Sequence, residues 1–371
     1  MGRERVSIYH IAKEAGVSPA TVSRVLTGNA NVSTEKRIKV EALIKKYDFR
    51  PNAMARSLSS TQTKLVGFLI PDIRNPFYAT LAVACERAAN ERGYSLMLSN
   101  YLNDMELQEQ NLQKMIEMRV DALIMIGGKV DEMVSDEEYV EKINQITDTI
   151  PVVITGKLDG SDCYQVNIDQ KKAAETAVEH LIAYGHTKIA LIGGRRDVNS
   201  TYTKRVTYRS CLRKHGIEFS ADDIVETPEY SIECGLQVMD RIFDSGQPLP
   251  TAVIAINDFM AMGIMQSIRR HGLGIPDDIS ILSFDDTFIA ESETPCLTSV
   301  GYNYDKFAGA LVETAILAIE GKNPPKMQLI PPHPGGQRVY SKDIGYQKHQ
   351  QQKEISKSEC FILFELKRVS K

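Results

Sequence analysis

The sequence predicts an N-terminal all-α helix-turn-helix head followed by an α/β core of two doubly wound, parallel-sheet lobes. Three observations carry that expectation. The first 64 residues hold twelve Lys or Arg against five Asp or Glu, a local net of +7, which leaves −11 for the other 307 residues of a chain whose net charge is −4. Within this basic head an Ala-Gly-Val-Ser turn, Ala15 to Ser18, joins two short helical patterns. Beyond it, short apolar strands alternate with amphipathic helices, and the series runs through twice.

In the head, Ile8, Ile11, Ala12 and Ala15 fall at helical spacing, and Gly16 supplies the permissive backbone at which a first helix stops. Ser18 is a good N-cap for a second helix, and Pro19 suits its first position, where a missing N–H costs nothing. Val22 and Val25 then face the first helix and turn Pro19, Ala20, Thr21, Ser23 and Arg24 outward. Only Arg24 of these is long, so the helix backbone fits deep in a DNA major groove. Ser33 or Thr34 caps a third helix through Lys46, with Ile38, Val40 to Leu43 and Ile44 as its packing face. A basic head on an acidic body is the electrostatic footprint of nucleic-acid binding by one domain.

From Lys64 the first series has strands at Leu65 to Ile70, Tyr94 to Leu98, Ala122 to Ile126 and Val152 to Thr155. Its helices cover Phe77 to Arg92, Asp104 to Met118 and Asp136 to Thr147. The second has strands at Ile189 to Ile192, Ala252 to Ile256 and Ile279 to Phe284, with helices near Gln170 to Tyr184, Thr203 to Lys214, Ile232 to Asp244 and Asp258 to His271. Such alternation predicts parallel sheets with right-handed crossovers, hence two lobes.

Several classes are argued against. Six cysteines at 85, 163, 211, 234, 296 and 360 form no C-x-x-C pair and no metal-ligand spacing, and read as reduced thiols. The N-terminus shows no apolar signal-like run, and no stretch reaches the roughly 18 apolar residues that span a bilayer, so a cytoplasmic protein is expected. No G-x-S-x-G, H-E-x-x-H, G-x-x-x-x-G-K-[ST] or G-x-G-x-x-G occurs, and His180 and His186 flank a helix end with no visible carboxylate partner. Neither an enzyme nor a cofactor or metal site is expected.

The stretch Ile8 to Leu26, IYHIAKEAGVSPATVSRVL, resembles the head of the LacI/GalR family of bacterial repressors, and Phe49 to Leu58, FRPNAMARSL, resembles that family's hinge helix. The resemblance implies that the helix from Pro19 reads base edges, with Pro19, Ala20 and Arg24 in the specificity positions. Arg24 would pair with a guanine, and Pro19 and Ala20 would offer apolar contact. Ser18, Thr21, Ser23 and Asn31 would hold phosphates. In the hinge, Asn52, Ala55 and Leu58 would meet DNA, with Leu58 wedged into the minor groove at the operator centre.

The body resembles the same family, whose core is built like periplasmic sugar-binding proteins. This implies an effector between the lobes, at the carboxyl ends of the strands. Pro71 to Tyr78, PDIRNPFY, looks like a family motif in which Asp72 and Asn75 line the site and Phe77 gives an apolar face to a sugar ring. Asn257 and Asp285, each following a strand, match family positions that bind ligand hydroxyls, while Asp258 reads as a helix cap. The family's effector-binding arginine falls on Lys204 or, one residue on, Arg205. Thr207 and Ser283 stand where the family usually has glycine.

These readings place a DNA-binding head at 1–50, a hinge and linker at 51–63, and the core at 64–333, with a first lobe of about 64–163 and 295–322 and a second of about 164–294 and 323–333. The expected protein is an effector-controlled repressor binding a near-palindromic double-stranded operator as a homodimer, at the nucleoid, without a membrane role. A sugar or sugar derivative is the expected effector. Sensing of a phosphoprotein or nucleotide, and a sugar-transport component, are the alternatives. After His333 the resemblance stops: the family continues with a sequence like Leu-Val-Val-Arg-Glu-Ser, this chain with Pro334 to Tyr340, PGGQRVY. The codon path CCT GGT GGT CAG AGA GTC TAT encodes those seven residues, and dropping its first base encodes Leu-Val-Val-Arg-Glu-Ser, so 334–371 reads as a frameshifted tail.

Overall fold

A computed structural model describes residues 6–26, 32–49 and 62–333. The chain divides into two compact units, Met1–Thr63 and Lys64–Lys371. Asn31, Asn52, Ala55, Leu58 and the segment 334–371 lie outside the described residues.

The head contains α1 (Ile8–Ala15), α2 (Pro19–Leu26) and α3 (Thr34–Lys46). The Ser7 side chain caps α1 by accepting from the His10 amide, and Gly16 ends it at φ 66°. That left-handed turn lets the Val17 amide reach back to the Ala12 carbonyl at 3.0 Å and starts α2 at once. Ile11, Ala12, Val22, Val25 and Val40 form the buried core, each large side chain contributing roughly 1.5–3 kcal/mol. Ile38 does not join it and is 61% exposed. Val40 holds the inner position, and a residue two places earlier lies about 200° around the helix, on its far side. A link the sequence did not suggest ties α1 to the end of α3: Glu14 accepts from Lys46 Nζ and from the Tyr47 hydroxyl, both at 2.7 Å.

The body opens with β1 (Leu65–Ile70), α4 (Pro76–Glu91), β2 (Ser95–Asn100), α5 (Met105–Glu117), β3 (Ala122–Ile126), α6 (Glu137–Thr147), β4 (Val152–Thr155) and β5 (Tyr164–Ile168). It continues with α7 (Gln170–Ala183), β6 (Ile189–Ile192), α8 (Asn199–Lys214), β7 (Ile224–Val225), α9 (Ile232–Asp244), β8 (Ala252–Ala255), α10 (Asp258–Arg270) and β9 (Ser280–Asp285). Last come α11 (Phe288–Ser292), β10 (Thr298–Gly301), α12 (Tyr304–Ile319) and β11 (Met327–Ile330). Two wholly parallel sheets result, ordered β11-β5-β4-β3-β1-β2 and β10-β9-β8-β6-β7. Central strands such as β3, Ala-Leu-Ile-Met-Ile, are buried at every position because helices cover both faces. In the second lobe α9 and α10 cross so closely that a Cβ on Gly263 would lie 1.9 Å from the Ile232 carbonyl oxygen.

The lobe boundaries differ from those expected. β5 pairs with β4, and β11 pairs with β5, so 164–168 and 327–330 belong to the first lobe's sheet. β10 pairs with β9 in the second. The chain therefore changes lobe after β5, again after β10, and once more after β11, where Tyr302 bridges Pro332 and the His333 amide donates to the Gly301 carbonyl at 2.9 Å. β5 has no apolar run to mark it in the sequence, because Gln165 and Asn167 interrupt its apolar residues. Asn167 holds the Gly156 amide and carbonyl at 2.7 and 3.0 Å, so its polarity serves a neighbouring loop.

Candidate nucleic-acid interface and effector cleft

On the head, Ala20 and Arg24 are exposed, and Pro19, Thr21 and Ser23 are half-buried around the two buried valines of α2. The Ser18 hydroxyl accepts from the Thr21 amide at 3.2 Å and meets the Thr21 hydroxyl at 2.9 Å, so these two side chains begin the helix as well as facing outward. α2 thus presents one short-chained face bearing one exposed arginine, and its opposite face is the core of the head.

In the body, a cavity of about 290 Å³ opens between the lobes at the carboxyl ends of the strands. Asp72, Asn75, Phe77, Lys204, Asn257 and Asp285 all line it; Arg205 does not. The Arg205 guanidinium instead donates to the carbonyls of Gly193, Gly194 and Arg195 and pairs with Glu226 at 3.1 Å. Gly193 and Gly194 sit at φ 108° and 81°, conformations open to glycine, and Arg205 holds that turn from behind. One residue along α8 is a rotation of about 100°, which separates Lys204 on the cleft side from Arg205 on the loop side.

Asp72 is committed to Arg74, accepting at 3.0 and 2.7 Å, which holds its carboxyl below the usual range. Asn75 caps α4 through the Phe77 amide at 3.1 Å. The Phe77 ring lies 5.2, 6.2 and 5.9 Å from those of Tyr78, Tyr302 and Tyr304 and forms an aromatic wall. Asn257, not Asp258, is the cap of α10: its side chain accepts from the Met260 amide at 2.8 Å. Asp258 is 1% exposed and anchors the strands beneath, accepting from Ser283 and Ser299 hydroxyls at 2.5 and 2.7 Å and from the Thr287 amide and hydroxyl at 2.7 and 2.8 Å. Only the residue before the first helical turn has its side chain beside the free amides; Asp258, one further on, points back into the sheet. Ser283 belongs to this network.

Asp285 is 9% exposed with φ 101°, just beyond the anchored strand, and Lys204 is 7% exposed with its ammonium 4.3 Å over the Phe284 ring. Burial pushes the Asp285 carboxyl up, against the pull of Lys204. Burial likewise lowers Lys204, opposed by Asp285 and Asp131. Asp131, absent from the sequence expectations, comes from the first lobe and accepts from the Ser200 hydroxyl of α8 at 2.6 Å. Burial raises it to about 6, against hydrogen bonds from Ser200 and Asn199 that lower it. Beside this pair the Met133 amide donates to the Asp197 carbonyl at 2.8 Å and Glu132 bridges Val198, so the lobes are joined across the cleft mouth.

A helix-turn-helix unit joined to a two-lobed body with a polar cleft is the build of a ligand-responsive DNA-binding regulator. Residues 7–52 match the lacI family of bacterial regulatory proteins, and 178–335 match a periplasmic binding protein-like domain. Catabolite control protein A of Staphylococcus epidermidis is 38% identical over 297 residues, covering 80% of this chain and 87% of that protein. The lac repressor dimer bound to operator and the anti-inducer ONPF is 25% identical with a TM-score of 0.78, over 89% of this chain and 97% of that one. The transcription regulator CcpA of Lactococcus lactis is 26% identical with a TM-score of 0.63, over 75% and 98%. The chain belongs to the lacI family: it is a transcriptional regulator with a DNA-binding domain and an effector-binding domain. Among the described residues no helix is long and apolar enough to cross a membrane.

Proposed function

We propose that this regulator is a bacterial cytoplasmic repressor that binds a near-palindromic operator as a homodimer and is controlled by a sugar or sugar derivative held between the lobes. The cleft carries this reading. Its lining comes from both lobes and places an aromatic wall beside buried polar groups, which suits a ring with an apolar face and hydroxyl edges. Ligand held by both lobes changes the relative stability of their arrangements and so the population competent to bind DNA. Dimerisation is supported by exposed apolar side chains on the first lobe, Val83 of α4 and Leu98 of the edge strand β2, and a two-fold pair of heads would match a palindromic site. Ser18, Thr21, Ser23 and Asn31 hold phosphates, Pro19, Ala20 and Arg24 read bases, and Asn52, Ala55 and Leu58 engage the operator centre.

Gel shifts on the region upstream of the protein's own gene test the DNA reading. Salt-sensitive, sequence-preferring binding is expected, with Arg24→Ala relaxing preference at one position of each half-site by about 1–3 kcal/mol. Loss of binding with no change in preference refutes the base-reading role.

We further propose that 334–371 is a frameshifted reading. The domain match ends at residue 335, and His333 lies hydrogen-bonded to the edge of β10, where a restored Leu-Val-Val sequence has a strand to extend. Sequencing the source gene is the test; an intact base count at codon 334 rules the frameshift out.

A further inference from the structure

We propose that Gly301 is a positioning residue for effector recognition: its missing side chain is the seat of Asp286, and that seat holds Asp285 in the conformation with which it lines the cleft. The inference rests on the reading of the cleft as the effector site and not on which ligand fills it. Backbone strain is the first observation. Asp285 and Asp286 follow β9 at φ 101° and 49°, two successive non-glycine residues in the left-handed half of backbone space, where a Cβ crowds its own main chain. Such a pair persists only where the surroundings fix it. The Asp286 amide donates to Ser299 Oγ at 2.9 Å, the Tyr304 hydroxyl donates to the Asp285 carbonyl at 2.9 Å, and the Thr287 amide donates to Asp258 at 2.7 Å. Asp285 lines the cleft, whereas Asp286 is turned against β10.

The close approach of the two strands is the second observation. β10 lies beside β9 with Gly301 opposite Asp285. Ser299 and Gly301 are two residues apart on β10 and so address the same face. Ser299 holds the turn with its hydroxyl, and Gly301 makes room for it. A Cβ on Gly301 would stand 2.7 Å from Asp286 Oδ2 and 2.8 Å from Asp286 Cβ. The carboxylate oxygen can swing aside, but the Cβ is fixed by the main chain. Any residue larger than glycine therefore shifts the backbone of Asp286, and Asp285 is one peptide away.

Placement in the fold is the third. Gly301 is the last residue of β10, where the chain leaves the second lobe. Its carbonyl accepts from the His333 amide at 2.9 Å, and the next residue, Tyr302, bridges Pro332 and lines the cleft. The seat of the strained turn is thus part of the joint at which two passages between the lobes meet, and the position of Asp285 is set from that joint.

The test compares full-length wild type, Gly301→Ala, Asp286→Gly and the double variant. Hydrogen exchange of the peptide spanning 284–288 is followed by mass spectrometry, sugar binding by isothermal titration with glucose, galactose, maltose and cellobiose, and operator affinity without sugar by gel shift. Gly301→Ala is expected to speed exchange in the turn and to weaken the sugar that wild type binds, each by about tenfold or more, with operator affinity kept within about twofold. In the Asp286→Gly background, which removes the side chain the new Cβ strikes, the same Gly301→Ala change is expected to alter both by less than about threefold. Equal losses in the two backgrounds, or unchanged exchange and binding in Gly301→Ala, overturn the inference. If none of the four sugars binds wild type, the saccharide reading fails and the exchange comparison alone decides the seat. Should Gly301→Ala not fold, recovery of folded protein in the double variant supports the seat, and its failure there overturns it.

Discussion

Replacing Asp258 by alanine removes the acceptor of four hydrogen bonds at once: from the Ser283 and Ser299 hydroxyls, the Thr287 hydroxyl and the Thr287 amide. A buried donor left unsatisfied costs about 1–3 kcal/mol. The hydroxyls rotate toward other acceptors, as Ser283 does toward the Thr298 carbonyl at 3.5 Å, but the Thr287 amide is fixed by the backbone. Against these losses stands the relief of no longer burying a carboxylate, whose cost shows in burial raising its pKa. With one fixed amide left unsatisfied and the hydroxyls partly rescued, the balance is about 2–4 kcal/mol, whereas Asp258→Asn keeps the shape and one acceptor and costs about 1–2 kcal/mol. The chain has no tryptophan, so urea unfolding of the body is followed by circular dichroism. An alanine variant within about 1 kcal/mol of wild type refutes the claim that this network holds β9, β10 and the turn bearing Asp285 together.

Asp131, raised to about 6 mainly by burial, keeps its proton in the folded state where the unfolded chain has released it, so the stability it lends is full below about pH 4 and is lost as pH rises through 6. Asp131→Asn should therefore gain in melting temperature relative to wild type between pH 5 and 7.5; a constant difference refutes the assignment. Gly263→Ala forces a Cβ against the Ile232 carbonyl and should destabilise the body by about 2 kcal/mol or more, while Gly309→Ala in α12, with open space around it, should be neutral or stabilising by up to about 1 kcal/mol. Equal effects in thermal melts contradict the close crossing of α9 and α10. Leu58→Ala should reduce operator bending as well as affinity in circular-permutation gel shifts, and unchanged bending sinks the wedge.

Elements whose pattern is set by local burial were legible. β3 and α9 fall at the residues read from their apolar periods, and Val22 and Val25 are buried as the spacing required. The sequence leaves a role open where a polar side chain has two possible partners. An Asn-Asp pair after a strand offers two caps by composition, and only backbone geometry assigns the role to Asn257 and sends Asp258 into the sheet. Lys204 and Arg205 are equally basic, and helix phase decides which lines the cleft. Lobe membership was illegible for a different reason. β5, β10 and β11 each sit next to a point where the chain changes lobe, so nearness in sequence points all three to the wrong one.

The helix expected from Thr203 begins one turn earlier, at Asn199, and that turn connects the fold to its control. It places Ser200 and Thr201 at the cleft, where Ser200 donates to Asp131 of the other lobe and Thr201 meets the Tyr230 hydroxyl at 3.1 Å. α8 also carries Lys204 one turn on, so a ligand drawn to Lys204 or Asp131 acts on a helix start that both lobes already share. Its binding must either add to the Asp131–Ser200 contact, favouring the closed arrangement, or compete with it, favouring an open one. Only a difference in affinity between the two arrangements moves the equilibrium, and each tenfold of that difference supplies about 1.4 kcal/mol. Asp131 is therefore the residue at which ligand affinity and lobe closure are the same quantity: Asp131→Ala should weaken effector binding and also reduce the effector's influence on operator affinity. A variant that weakens the first while leaving the second intact at saturating effector would separate recognition from closure.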